Sequence, residues 1–160
     1  MMTTQTLNIT NKTLGPDASG QLSAEDAQRV AEFLHTHLDE YGDALADIQA
    51  CLAYARERGG SVTYAEEVSI EGGSELLGAV ITNRTGMGGF IPENILVYIA
   101  VHGKTRGRGL GQQLMETVLA NVEGDVALHV EPHNPAKKLY ERLGFTNKYL
   151  EMRLTRSGGE

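Results

Sequence analysis

Apolar residues recur along this chain with two periods, and the change of period separates helices from strands. A helical spacing runs from Ser23, the expected N-cap, to Leu38. A second helical spacing begins at Leu45 and includes Ala55, and Gly59 after it predicts a left-handed C-cap. The first third of the chain therefore predicts two amphipathic helices.

Strand-like runs lie on both sides of these helices. Residues 5–14 alternate weakly, as an edge strand would, and residues 61–69, 76–82 and 94–101 predict three strands joined as hairpins. Further along, the pattern predicts a helix from Leu110 towards Asn121, a short buried strand over 125–130, a short helix from Ala136, a terminal strand over 145–154 and a disordered tail over 157–160. This order predicts a mixed α/β fold with a largely antiparallel sheet.

Composition is that of an ordinary globular protein. The 160 residues are 41% hydrophobic, which predicts one domain over residues 1–160. The single cysteine, Cys51, cannot form an intrachain disulfide and is expected to be a buried structural thiol. No apolar run is long enough for a signal peptide or a membrane span, so we expect a soluble, cytoplasmic protein without a membrane partner.

Charge narrows the classes of partner. The net charge is -7, which argues against nucleic-acid binding because phosphates would be repelled. Residues 1–80 hold 13 acidic and 4 basic side chains, whereas residues 81–160 hold 8 and 10. The excess of basic residues in the second half fits a polyanionic cofactor, although an ordinary solvated surface has the same composition.

The stretch from Ile95 to Gln113 carries the clearest chemical signal. An apolar strand ends in a turn of alternating glycine and arginine, and a helix follows. Glycines let the backbone approach a ligand, and the unpaired N–H groups of a helix start attract anions. The spacing excludes two commoner motifs: a Walker A loop needs glycine at Tyr98, and the dinucleotide fingerprint needs it at Gln112 or Leu114. Spacing alone leaves a plain surface turn open.

Two segments in the second half resemble the Gcn5-related N-acetyltransferase (GNAT) superfamily, whose members bind acetyl-CoA. The first is Ile99-Ala100-Val101-His102 followed by Arg106-Gly107-Arg108-Gly109-Leu110-Gly111. The second is Asn134-Pro135-Ala136 followed by Leu139-Tyr140-Glu141-Arg142-Leu143-Gly144-Phe145. The resemblance covers about residues 76–154 and implies a central, mostly antiparallel sheet with splayed strands and flanking helices. Gly103 and Thr105 replace a frequent proline and aromatic, which predicts a looser turn.

The resemblance also implies roles for individual residues. Backbone groups of the strand would pair with the pantetheine arm of acetyl-CoA, amides of the turn would hold its diphosphate, and Asn134 would contact the arm. The implied cofactor-binding residues are Ile99, Ala100, Val101, Arg106, Gly107, Arg108, Gly109, Leu110, Gly111, Gln112 and Asn134. Tyr140 corresponds to the proposed general acid of the family; without the surrounding block it would be interpreted as a core tyrosine.

The general base is left open by the sequence. Ile95 occupies the position where histone-modifying relatives carry a glutamate. The alternatives are Glu93, Glu66, Glu67 and Tyr98, and a structural role is the better interpretation of each. The spacing of the histidines predicts no metal site, since neither His35 and His37 nor His129 and His133 share a helical face.

The function implied by the resemblance is transfer of an acetyl group from acetyl-CoA to a primary amine of a small molecule or peptide, by direct attack. The acidic first half favours a cationic acceptor. The alternative is a CoA-binding sensor or interaction module that keeps the fold without turnover. Either a monomer or a homodimer is compatible with the sequence.

Overall fold

The structure is a computed structural model that describes residues 6–17 and 22–156. The predicted tail over 157–160, and residue 5 at the start of the first predicted strand, lie outside these ranges. The chain divides after Leu128 into two compact units. The two units are taken in turn.

The first unit is built on one sheet of five strands in the order β1-β2-β3-β4-β5. The first four pair antiparallel, and β5 pairs parallel with β4, which confirms the predicted mixed sheet. The bounds are β1 Thr6–Leu14, β2 Gly60–Val68, β3 Ser74–Arg84, β4 Asn94–Val101 and β5 Val126–Leu128.

Two helices cover one face of this sheet, as their apolar spacing predicts. Helix α1 spans Ala24–His37, and the Ser23 hydroxyl accepts the backbone N–H of Asp26 at 3.0 Å, which confirms the cap. Helix α2 spans Leu45–Arg58. Its C-cap, Gly59, has φ 115° and ψ 146°, so the predicted left-handed cap is wrong: the residue turns directly into β2 with extended ψ.

The opposite face of the sheet is covered by helix α3, Leu110–Asn121. Ala79 and Ile81 of β3 belong to the core shared with α1 and α2. Gly78 and Val80, which alternate with them along the strand, therefore face the other way. At Gly78 an added Cβ would lie 2.5 Å from Cδ1 of Leu114. The absence of a side chain at this position therefore lets α3 pack closely against β3.

Strand β4 pairs with β3 along its whole length but with β5 only over its first half. Tyr98 pairs with Ile81 and Leu96 with Thr82, which leaves Val97 as a bulge. On the other side, β5 pairs with β4 only from Asn94 to Leu96. The predicted buried strand over 125–130 is three residues long and half-buried.

The second unit contains helix α4, Ala136–Arg142, which ends before Gly144 as predicted. The predicted terminal strand over 145–154 is wrong, since these residues form no strand. Leu150, Met152 and Leu154 alternate with charged residues, yet they are 82%, 89% and 76% exposed. Alternation favours a strand only where another strand supplies hydrogen bonds, and none pairs with this segment among the described residues.

Candidate active site

The outer edge of β4 offers unpaired backbone groups beyond the bulge. The N–H of His102 donates to the carbonyl of Leu77 on β3 at 2.7 Å. Groups that face a neighbouring strand alternate along an antiparallel ladder, so those of Ile99 and Val101 face away from β3. Ala100 pairs with Ala79, and its backbone groups face β3. Ile99 and Val101 thus expose a donor and an acceptor each to the gap that β5 leaves.

The turn after β4 presents a row of amides. The N–H groups of Arg106 and Arg108 donate to the carbonyls of Gly103 and Thr105, which folds the turn. Gly107 and Gly109 both adopt positive φ, at 80° and 75°, with open space where a side chain would lie. Gly109 is the N-cap of α3 and gives no side-chain cap, so the first amides of the helix, from Leu110 to Gln112, point outward without intrahelical partners.

Positive charge surrounds these amides. The side chains of Arg106 and Arg108 are exposed beside the two glycines. Lys104, by contrast, forms an ion pair with Glu75 on β3. The outward amides, the helix start and the two arginines together form an anion-binding cradle, which we define as residues 106–112.

Side-chain hydrogen bonds hold the turn before this cradle, and its looseness relative to the family stays a prediction. Thr105 is only 3% exposed, and its hydroxyl donates to the carbonyl of His102 at 2.7 Å. Nδ1 of His102 accepts the backbone N–H of Lys104 at 3.2 Å. Two side-chain hydrogen bonds therefore fix a turn that has neither the proline nor the aromatic residue frequent at these positions.

Tyr140 lies in the second unit, on α4. Its side chain is 6% exposed, and its ring meets that of Phe145 edge-on with 6.0 Å between centroids. Burial raises the pKa of the phenol to about 12. The hydroxyl therefore stays protonated over the whole neutral range, as a proton donor must before it acts.

Asn134 also lies in the second unit, just before α4. Its Oδ1 accepts the backbone N–H of Ala136 at 2.9 Å, and its carbonyl accepts that of Lys137 at 3.0 Å. The side chain thus has a local role at the start of the helix. The bond from Ala136 uses only the side-chain oxygen of Asn134. The side-chain NH2 group, which is a donor, takes no part in it.

Three of the side chains considered as bases are engaged elsewhere. Oε1 of Glu93 accepts the N–H of Asp125 at 2.8 Å, and this backbone bond lowers the pKa of the carboxyl. Glu66 accepts Arg29 at 3.1 Å. The hydroxyl of Tyr98 donates to Asp43 at 2.6 Å, and burial together with that carboxylate raises the pKa of the phenol. Each contact explains the residue structurally.

The bond between Tyr98 and Asp43 joins residues that sequence reasoning did not connect. Tyr98 follows the bulged Val97 on β4, and Asp43 lies in the connection between α1 and α2. The connection between α1 and α2 contains Asp39, Glu40 and Asp43, and we call it the acidic connection. The bond ties it to the strand whose edge is open. No spacing in the sequence signals it, because 55 positions separate the two residues.

Cys51 is a buried structural thiol, as its position in the apolar stripe predicts. Its Sγ donates to Oδ1 of Asn83 at 3.2 Å, and the side chain is 9% exposed. Burial raises the pKa of the thiol from 9.0 to about 12. The thiol is therefore protonated and poorly nucleophilic in the folded protein.

We expect this thiol to make the protein less stable in alkali. A pKa raised by folding gives a contribution that is complete below pH 9 and is lost as the pH rises towards 12. Between pH 9 and 10 the free energy of unfolding should fall more steeply in the wild type than in Cys51→Ala, by up to about 1.4 kcal/mol per pH unit. Urea unfolding at several pH values measures both slopes, and parallel slopes would show that the thiol ionises normally.

The described residues contain no group of three or more histidine, cysteine, aspartate or glutamate side chains able to hold a metal ion. Within the same ranges, no helix combines the length and the apolar character that a membrane crossing requires.

Comparison with known protein families identifies the family of this chain. The model of the acetyltransferase (GNAT) domain matches residues 59–147, which is more than half of the chain. The chain belongs to the GNAT acetyltransferase family. The match contains both the cradle and the Tyr140 block, and it begins after α1 and α2. In this GNAT chain, α1, α2 and the acidic connection between them therefore lie outside the match.

Solved structures share the same fold at low sequence identity. A ribosomal-protein-alanine N-acetyltransferase from Brucella melitensis biovar Abortus 2308 is 18% identical with a TM-score of 0.62, covering 94% of this chain and 100% of that one. An aminoglycoside N-acetyltransferase AAC(6')-Iy, solved with CoA, is 13% identical with a TM-score of 0.65, covering 98% and 99%. The Escherichia coli ribosomal-protein-S18-alanine N-acetyltransferase is 18% identical with a TM-score of 0.60, covering 86% and 78%. No curated protein sequence matches the chain.

Proposed function

We propose that this GNAT protein transfers an acetyl group from acetyl-CoA to a primary amine. The observation that carries the proposal is the continuity of two binding surfaces: the open edge of β4 leads, through the turn at residues 103–105, directly into the cradle. The edge suits a chain of amides, and the cradle suits a diphosphate. Coenzyme A contains both in that order.

The chemistry of each surface fits the part of coenzyme A assigned to it. The backbone groups of Ile99 and Val101 pair with the amides of the pantetheine arm as an added strand would. The amides of residues 107 and 109–112 and the guanidinium groups of Arg106 and Arg108 hold the diphosphate. Asn134 donates its side-chain amide to the arm. Ala100 pairs with Ala79 of β3 and thereby holds Ile99 and Val101 in place for the pantetheine arm.

Acetyl transfer then requires little covalent chemistry from the protein. The nitrogen lone pair of the amine attacks the thioester carbonyl, the C–N bond forms, and the C–S bond breaks. A backbone N–H on the open edge of β4 polarises the carbonyl oxygen. Tyr140 gives its phenolic proton to the departing sulfur, and holding the two reactants together supplies most of the acceleration. The proton lost by the amine passes to a base or water that the residues do not identify.

A cationic acceptor fits the charge of the connection between α1 and α2. Asp39, Glu40 and Asp43 lie in this connection, and Asp47 lies in the first turn of α2. The hydroxyl of Tyr98 donates to Asp43, so the acidic connection is tied to the strand that has the open edge. The proposed acceptors are therefore small polyamines, amino acids and peptide amines rather than neutral or anionic amines.

We also propose that the chain works as one domain, although it divides into two compact units. The match to the family model runs from residue 59 to 147 and so crosses the division after Leu128. Tyr140 and the cradle belong to opposite sides of that division, and the proposed reaction needs both.

A thiol-release assay tests the function. The full chain is incubated with acetyl-CoA and a panel of polyamines, amino acids, peptides and uncharged amines, and free CoA thiol is followed over time. We expect release that depends on the amine and is greatest for the cationic members. Coenzyme A binding without thiol release for any amine would favour the CoA-binding module instead, and no binding at all would overturn both.

A further inference from the structure

A cluster of polar side chains supports the turn before the cradle from the side of α1 and β3. His102 is its centre and is partly accessible, with 28% of its side chain exposed. Its ring contacts that of His37 of α1 at a tilt of 40°, with 4.5 Å between centroids, and Nε2 lies 3.7 Å from a carboxylate oxygen of Glu75 on β3. Glu75 also pairs with Lys104 in the turn. The cluster lines an open cleft of about 390 Å³.

The contacts of His102 fix its tautomer. Nδ1 accepts the backbone N–H of Lys104, so it carries no proton in this arrangement. The neutral ring therefore has its proton on Nε2, on the side of Glu75. A ring protonated on both nitrogens would lose the acceptor and would turn a donor towards the N–H of Lys104.

The same residue is connected to the cradle through the backbone. The carbonyl of His102 accepts both the N–H of Thr105, at 2.9 Å, and its hydroxyl, at 2.7 Å. The carbonyl of Thr105 then accepts the N–H of Arg108 at 3.1 Å. Gly107 lies inside this bonded segment, so the direction of its outward amide depends on the turn that His102 holds.

We propose that His102 is a positioning residue for coenzyme A: Nδ1 of its ring holds the turn in the shape that aims the cradle at the diphosphate. The proposal rests on the proposed function. The charged and titratable groups that face the ring are Glu75 from β3, His37 from α1 and Lys104 from the turn itself.

The neighbours of the ring do not replace the bond at Nδ1. Burial and the nearby His102 lower the pKa of His37. Glu75 lies on the Nε2 side of the ring and gives no substitute for the acceptor at Nδ1. The acceptor that shapes the turn therefore comes from His102 itself.

Two substitutions distinguish the effect of the hydrogen-bond acceptor at Nδ1 from the effect of the ring. His102→Asn keeps an acceptor, because asparagine oxygen readily accepts the N–H two residues on. His102→Phe keeps a flat ring against His37 and removes the acceptor. At pH 8, calorimetric titration with coenzyme A should give a Kd within about twofold of wild type for His102→Asn and about fivefold weaker for His102→Phe, the effect of one hydrogen bond.

The split between KM and kcat provides a second readout that a purely structural residue would not give. In assays with a reactive amine, His102→Phe should raise KM for acetyl-CoA and leave kcat unchanged at saturation.

The outcomes separate this inference from the proposed function. If wild-type protein does not bind coenzyme A, the proposed function fails. If it binds, and both variants match the wild type or weaken equally, the role of His102 is overturned. The same holds if His102→Phe lowers kcat and leaves KM for acetyl-CoA unchanged. Should His102→Phe not fold, His102→Leu, which also lacks the acceptor, is measured in its place.

Discussion

Replacing Tyr140 by phenylalanine should lower kcat about 100-fold, at the lower end of what a positioned general acid contributes. The ring and its edge-on contact with Phe145 are kept, and only the proton donor is lost. Because the phenol is assigned to the departing sulfur and not to the binding of the cofactor, the Kd for coenzyme A should stay within about twofold. Steady-state kinetics with acetyl-CoA and the best amine, together with calorimetric titration, measures both quantities.

Tyr149 provides the matched control for this substitution. It lies in the same unit but is 80% exposed, so Tyr149→Phe removes an equivalent hydroxyl from the surface and should change neither kcat nor Kd. A parallel loss of kcat and affinity in Tyr140→Phe, accompanied by a lower melting temperature, would instead assign Tyr140 to packing. The raised pKa of Tyr140, about 12, means that the donor persists at the alkaline pH values where amines become deprotonated.

The elements that the sequence predicts well are those whose signals are local. Ser23 caps α1 through a bond to Asp26, three positions away, and glycines with positive φ mark the turn before α3. The hairpin strands β2 to β4 follow one another in space as they do in sequence. The cap and the glycine turn depend on neighbours within a few residues, and each hairpin joins strands that are consecutive in the sequence, so a local pattern contains the necessary information.

The features that the sequence does not predict depend on distant partners. The segment over 145–154 has the alternation of a strand, but a strand also requires a neighbour, and a pattern cannot supply one. The turn at Gly103 and Thr105 resembles a weakened motif until His102 and Glu75 are seen beside it. Tyr98 and Asp43 meet only because α1 and α2 pack on the sheet.

The same distinction applies to the candidate catalytic groups. On sequence alone Glu93 is open as a base, because it lies two residues before Ile95 and shares its face if the strand extends. In the structure its carboxylate fits against Gly88 and Gly124: added Cβ atoms there would lie 2.9 Å and 2.7 Å from it. The carboxylate joins the loop before β4 to the start of β5, a role that no motif records.

Substituting valine for Gly109 should weaken coenzyme A binding about 30-fold. The φ of 75° at this position is costly for a β-branched residue, by about 2 kcal/mol. The turn relaxes to avoid this strain, and the amides from Leu110 to Gln112 then no longer converge on one anion. At 2 kcal/mol the dissociation constant rises about 30-fold. Titration with coenzyme A measures it directly.

Substitutions at Gly86 and Gly103 are the controls: Gly86 tests the effect of strain at positive φ, and Gly103 tests the effect of a side chain in the turn. Gly86 has a φ of 80° and open surroundings in the loop before β4, so Gly86→Val carries similar strain at a site without a cradle and should lower stability without changing the Kd. Gly103 lies in the turn without positive φ, and an added Cβ would approach only Nε of Arg106, at 3.9 Å. Gly103→Ala should therefore bind as the wild type does. Equal affinity in Gly109→Val and Gly86→Val would mean that the amides at the start of α3 do not hold the diphosphate.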